Sequence, residues 1–186
     1  MLDIGANVGS VTLYWAFRNT DLQLHCYEPN PSAFSTLERN VEENGIRPRT
    51  TTFNEAVGRT GGILSLWVDV PTDLSTAYMD TAPAEGGRRM NVPMVALDDA
   101  WQRLGKKEIW LLKVDTEGAE VDILEGASQE LLASVKNAIV EYHDNIVPGS
   151  FLRCQRILDL AGFQSRVLRH PWNEGIIYAQ RQATVQ

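Results

Sequence analysis

Short apolar runs alternate along this chain with stretches whose apolar residues recur at helical spacing. Residues 1–4 (MLDI) form an apolar strand that stops at Gly5, and residues 10–17 read as a helix with Val11, Leu13, Tyr14 and Phe17 apolar. Residues 22–27 (LQLHCY) read as a second strand, ended by Glu28. In the turn Pro29-Asn30-Pro31, Asn30 suits a helix cap and Pro31 a first helical position. The helix that follows carries Phe34, Leu37 and Val41 on one face, and Gly45 stops it. Residues 50–57 (TTTFNEAV) are β-rich and predict a third strand, and residues 63–68 (ILSLWV) a further one.

Residues 69–91 are polar and lack periodicity, with Pro71, Pro83 and Gly86-Gly87. A segment of that length between regular elements predicts a substrate lid. Arg88 and Arg89 could there meet an anionic acceptor, although each taken singly reads as a solvated loop charge. Strand character returns at residues 92–97, and Asp98 begins a short helix. Residues 108–114 (EIWLLKV) are almost continuously apolar, as a central parallel strand requires, and Asp115-Thr116-Glu117-Gly118 ends them. A helix over 119–126 follows, then a second buried strand over 136–142 that ends at His143. Ser150 is expected to cap a helix through residue 160, and residues 163–169 and 176–179 to form a terminal hairpin.

Strands and helices alternating at these lengths predict an α/β fold: a doubly wound, Rossmann-like, mostly parallel sheet with one antiparallel strand from the C-terminal hairpin. With 186 residues and no linker or repeat, the chain reads as one domain over 1–186. Met1 lies within the first strand, where folds of this kind usually have preceding residues. That points to a trimmed domain or to a missing N-terminal segment.

Composition narrows the partners. The formal net charge of -7 disfavours broad nucleic-acid binding. No apolar run approaches the ~20 residues that cross a bilayer, and no signal peptide is evident. Cys26 and Cys154 do not make a disulfide framework, and Cys26 reads as a small buried hydrophobe. A cytoplasmic setting is expected. Oligomeric state is not legible.

In doubly wound sheets, ligands bind at the carboxyl ends of the strands where strand order reverses, so the turn Asp3-Ile4-Gly5-Ala6-Asn7-Val8-Gly9 is the candidate cofactor site. Gly5 permits a sharp exit beside a ligand, Gly9 close helix–strand packing, and Asn7 a left-handed backbone. A dinucleotide fingerprint would need glycine at 7 and Gly or Ala at 10, where the chain has Asn7 and Ser10. D-x-G-x-N-x-G is nearer to the methyltransferase loop, and Asp3 favours the cationic S-adenosylmethionine over a pyrophosphate. Glu28, 19 residues beyond Gly9, stands where an acid accepts the ribose hydroxyls. Asn54, Glu55 and Ala56 are placed to flank the adenine.

For chemistry, Lys113 and Asp115 share a strand face, as do Glu141 and His143. Asp115 should point into the crevice mouth, with Glu117 in the turn beyond and Glu120 in the first turn of the next helix. Asp115 or Glu117 is the favoured general base, with His143 third; Glu120 reads equally as a helix-dipole acid. Asp115, Glu117, Glu141 and His143 are conceivable ligands of a hard cation, but clustered acids more often form hydrogen-bond networks, and no metal is predicted.

These motifs together resemble the FkbM-type methyltransferases. Residues 3–9 are similar to that family's DIGAN-x-G opening and Glu28-Pro29-Asn30-Pro31 to its E-P-x-P turn. Asn40 and Asn44, Ala56-Val57-Gly58 and Leu97-Asp98 follow in order. Lys113 to Glu120 resembles the K-x-D-x-E-G-x-E signature, followed by Leu124-Glu125-Gly126-Ala127, and Glu141-Tyr142-His143 the acidic end of the fifth strand. The resemblance implies an S-adenosylmethionine-dependent enzyme that methylates a hydroxyl of a small molecule or glycan, with Asp3, Gly5, Asn7, Gly9, Glu28, Asn54, Ala56 and Asp115 around the cofactor. A dinucleotide-dependent oxidoreductase and a non-catalytic S-adenosylmethionine-binding domain are the competing readings.

Overall fold

The computed structural model describes residues 1–68, 75–76 and 88–181. In chain order the elements are β1 (Leu2–Ile4), α1 (Ser10–Arg18), β2 (Leu24–Tyr27), α2 (Pro31–Glu43), β3 (Thr50–Phe53), β4 (Ala56–Gly58), β5 (Gly62–Val68) and β6 (Ser75–Thr76). Then come β7 (Arg88–Ala96), α3 (Leu97–Arg103), β8 (Ile109–Val114), α4 (Glu120–Gly126), α5 (Gln129–Ser134), β9 (Val135–His143), α6 (Ser150–Leu160), β10 (Phe163–Arg169) and β11 (Glu174–Arg181).

Seven strands form the main sheet in the order β10-β11-β9-β8-β1-β2-β3. β1 pairs in parallel with both β2 and β8, and β2–β3 and β8–β9 are parallel too. β11 runs antiparallel to both of its neighbours, so it is the reversed strand that the hairpin predicts. The chain winds outward from β1 to β3, then returns to β8 on the opposite side of β1. The carboxyl ends of β1 and β8 therefore flank the switch point.

Each face of this sheet has its own apolar core. Leu2, Ile4, Leu112, Val114 and Val140 pack with Val121, Ile123 and Leu124 of α4 and Phe151, Cys154 and Leu158 of α6. Met1, Leu24, Cys26 and Leu111 pack with Ala16 of α1 and Leu37 and Val41 of α2. Burying each such side chain stabilises the fold by roughly 1.5–3 kcal/mol. β8 is buried at five of its six positions, as its continuous apolar sequence predicts.

Four local expectations are corrected. Residues 50–57 are two strands, because the chain turns at Asn54-Glu55: β3 joins the main sheet, and β4 pairs with β7 in a second sheet ordered β4-β7-β5-β6. The Asn54 amide drives that turn by donating to Glu28 O at 2.8 Å and Pro29 O at 3.1 Å. Arg88 and Arg89 lie in β7 rather than in a loop, paired with Val68 and Trp67 of β5, and Arg89 Nε donates to Ser65 Oγ at 2.6 Å. Most of the expected lid, residues 69–74 and 77–87, lies outside the described residues. Helix α6 is capped by Asp144, whose Oδ1 accepts from Phe151 N and Ser150 Oγ, each at 2.8 Å, so Ser150 is the first helical residue and not the cap. Helix α5, six residues long and capped by Ser128, is too short to show a periodicity.

Both glycines of the first turn are fixed by packing. A Cβ on Gly5, whose φ is +73°, would stand 1.7 Å from the carbonyl oxygen of Asp115. The close approach that requires glycine there is thus to the end of β8. A Cβ on Gly9 would meet Leu37 Cδ1 at 2.7 Å, so Gly9 serves the contact of α1 with α2 and not the expected helix–strand contact. Gly5→Ala should destabilise the protein by at least about 3 kcal/mol, from left-handed strain plus a backbone clash, measured by thermal or urea unfolding.

Candidate active site

The first turn is fastened at several points. Gly5 N and Ala6 N both donate to Tyr27 O at 3.0 Å, and Asn40 Nδ2 of α2 donates to Val8 O at 2.7 Å. Asn7 adopts the left-handed backbone expected of it, with φ 49°. Its amide donates to Glu28 Oε2 at 2.8 Å, while Asn30 N donates to Glu28 Oε1 at 2.7 Å. Glu28 is therefore held just past β2 with one amide on each oxygen. A carboxylate oxygen has a second acceptor position, so the pair can still receive a vicinal diol. Burial pushes the Glu28 carboxyl pKa up, and the two amides oppose that shift.

Beneath the turn lies a buried ionic group. Asp3 is fully buried; its Oδ2 accepts from Thr12 Oγ1 at 2.5 Å, and its Oδ1 is 3.5 Å from Lys113 Nζ. Lys113 Nζ also donates to Gly5 O and lies 3.2 Å from Asp115 Oδ2. Burial pulls the Lys113 pKa down, but Asp3 and Asp115 more than reverse that, so it stays an ammonium. One cation thereby ties β8 and the residue after it to the first turn.

The acidic group lies beyond that tie. Asp115, Glu117 and His143 each bring one polar atom within 4.8 Å of the other two. His143 is buried, with Nε2 3.5 Å from Glu117 Oε2 and Nδ1 3.2 Å from Glu120 Oε1. Burial lowers the His143 pKa, but its hydrogen bond to Glu120 and the charges of Glu120, Glu117 and Asp115 outweigh it and push the value up to about 9. The ring is then an imidazolium at neutral pH. The Glu117 pKa is raised as well: burial raises it most, Asp115, Glu120 and Glu174 raise it further, and His143 opposes them. Glu141 is raised by burial and by Asp115. The spacing of Asp115, Glu117 and His143 would also suit a cation, but a proton shared between carboxylates and an imidazole satisfies the same geometry.

Of the residues singled out from sequence, Asp3, Gly5, Asn7, Gly9, Glu28 and Asp115 gather around the switch point, and Asp115, Glu117 and His143 close together on its far side. Two others sit differently. Ala56 is 3% exposed inside β4, and the Asn54 amide braces the Glu28-Pro29 turn. Glu120, which the sequence left open between a helix-dipole acid and a functional residue, is fully buried against His143. Its signal in the sequence was its place in the run from Lys113 to Glu120, which has four ionisable side chains in eight residues.

A mostly parallel sheet with a reversed penultimate strand, a glycine-containing turn after β1, an acid at the end of β2 and acids after β8 mark the class I methyltransferase fold. The chain matches the model of the methyltransferase FkbM domain over residues 3–165, and it belongs to that family. It is 28% identical to Methyltransferase 1 of Beauveria bassiana over 92% of this chain and 75% of that protein. It is 24% identical to the 31-O-demethyl-FK506 methyltransferase FkbM of Streptomyces tacrolimicus over 77% of this chain and 65% of that protein. The crystal structure of methyltransferase FkbM from Methylobacillus flagellatus superposes with a TM-score of 0.67 at 17% identity, covering 96% of this chain and 42% of that one. No helix among the described residues is long and apolar enough to cross a membrane.

The raised His143 pKa gives a pH prediction. A histidine whose folded pKa of about 9 exceeds its unfolded ~6.5 contributes stability that is complete below pH ~6.5 and lost as pH rises through about 9. Unfolding free energy should fall over that window by an amount on the order of 3 kcal/mol. Denaturant melts at a series of pH values check this, and His143→Gln should flatten the decline.

Proposed function

We propose that the chain is an S-adenosylmethionine-dependent methyltransferase that acts on a hydroxyl oxygen of a small molecule or a glycan. The observation that carries the reading is Glu28: a nearly buried carboxylate at the end of β2, held by amides of the first turn and of the next, with an acceptor position left on each oxygen. That arrangement suits the two ribose hydroxyls. The Asn7 amide already donates to Glu28, and this together with the carboxylates of Asp115, Glu117 and Glu141 disfavours a pyrophosphate in the same crevice, which counts against a dinucleotide. Asp115, half-exposed beside the turn, suits the cofactor's ammonium, and Asn54 and Glu55 lie at the adenine end. Asp3 contributes by holding Lys113 and Thr12, and Ala56 by backing the pocket wall from β4.

The cofactor supplies a methyl group already activated by its sulfonium. The protein's own residues then align the acceptor oxygen and remove its proton. Glu117 is the base: its raised pKa brings it closer to neutral working pH, and the adjacent His143 imidazolium stabilises its charge until the proton arrives. Asp115 shapes the opposite wall. The relative named for 31-O-demethyl-FK506 supports an oxygen acceptor. A nucleic-acid acceptor is disfavoured by the net charge of -7.

Calorimetry with S-adenosylhomocysteine tests the cofactor assignment, and the absence of any binding would sink it. Glu28→Ala should weaken that binding by tenfold or more, since hydrogen bonds to a charged acceptor are worth ~1.5–3 kcal/mol each. Glu117→Gln should leave cofactor affinity intact and lower turnover by ~10²–10⁴-fold, read as methyl transfer to a hydroxyl acceptor.

A further inference from the structure

Glu120 has no role in the chemistry described so far, yet one of its oxygens joins the turn after β8 to His143 at the end of β9. Oε1 accepts from Thr116 N at 2.9 Å, Thr116 Oγ1 at 3.1 Å and Gly118 N at 3.0 Å, and lies 3.2 Å from His143 Nδ1. Thr116, Glu117 and Gly118 form the turn that presents Glu117. Glu117 itself has φ 54°, a left-handed conformation that costs a non-glycine residue roughly 1–2 kcal/mol and persists only when its surroundings hold it. The amides on either side of Glu117 are the ones that Glu120 accepts. The same carboxylate engages Nδ1 of the ring, which leaves Nε2 as the nitrogen near Glu117, at 3.5 Å.

We propose that Glu120 is the positioning residue of the site: it accepts the Nδ1 proton of His143, turns Nε2 toward Glu117, and pins the turn that presents Glu117. A fully buried carboxylate needs a compensating charge, and His143 is the cation it engages. Glu120 therefore sets the charge of the ring as well as its orientation. The groups that face His143 are Glu120 from α4, Asp115 and Glu117 from the turn after β8, Glu174 opposite it on β11, and Glu141 on its own strand. On the α6 side Cys154 stays a neutral thiol, with its pKa pushed up to about 12 by burial and by Glu120. Of these acids, Glu120 is fully buried and the one hydrogen-bonded to the ring, so its charge is the least screened. The inference rests on the methyltransferase reading only in assigning the proton on Glu117 to an acceptor hydroxyl; the state of the ring does not depend on it.

The test is nitrogen-15 NMR of the imidazole rings, practicable because the chain has three histidines and His143→Gln identifies the signal. In the wild-type protein His143 should hold both ring protons through neutral pH, and on deprotonation the neutral ring should carry its proton on Nδ1. In Glu120→Gln the side-chain oxygen can still accept the Thr116 and Gly118 amides, but the charge is gone. Proton affinity of His143 should then fall tenfold or more, a shift of at least about one pH unit, while Glu117→Gln should shift it less. A wild-type ring that carries its neutral proton on Nε2 overturns the proposal without recourse to a variant that has to fold. So does a Glu120→Gln protein that folds and leaves the His143 titration unchanged. S-adenosylhomocysteine binding to the wild-type protein tests the methyltransferase reading separately, so failure of either is recognisable by itself.

Discussion

The site depends on how closely the first turn approaches the end of β8. A Cβ on Gly5 would fall 1.7 Å from the Asp115 carbonyl, so the two backbones are effectively in contact at the switch point. Lys113 fastens that contact from below, with its ammonium shared among Gly5 O, Asp3 and Asp115. A buried ammonium is tolerated only where carboxylates and carbonyls replace its water, and here those groups come from β1 and β8 together. The first turn and the acidic side chains are therefore one unit. A change that loosens Lys113 should displace both.

Electrostatics divide the crevice into two halves. Around the first turn a single ammonium serves the carboxylates: Asp3 and Asp115 face Lys113, and Glu28 is held by backbone amides. On the β9 side acids outnumber bases. Burial first, and then neighbouring acids including Asp115 and Glu174, push Glu117 and Glu141 toward protonation, while Glu120, Glu117 and Asp115 keep His143 from losing its proton.

The second sheet sets this molecule apart from a bare doubly wound core. β4 leaves the end of β3 and pairs with β7, which places residues 56–58 and 88–96 in the second sheet rather than in the main one. The chain spans 75% of its fungal relative and 42% of the superposed bacterial protein, so those proteins carry further sequence that this one does not align with.

The sequence by itself determined the parts that depend on local pattern. The continuous apolar run of β8, the cap and proline that start α2, the left-handed Asn7 and the reversed hairpin strand were legible because each follows from a residue's own conformational preference or from burial on both faces. So was the grouping of Asp115, Glu117 and His143, since strand ends at a switch point converge. Only the tertiary structure decided the rest. Residues 50–57 read as one strand because β propensity does not register that the Asn54 amide bonds the carbonyls of residues 28 and 29. The sequence of the first turn does not show that a Cβ on Gly5 would meet Asp115 O. Glu120 stayed open between a helix-dipole acid and a functional residue, because nothing in a linear pattern says that its buried carboxylate meets a histidine 23 residues away. Hydrogen bonds between distant segments are set by packing, and packing is not written in the spacing of residues along the chain.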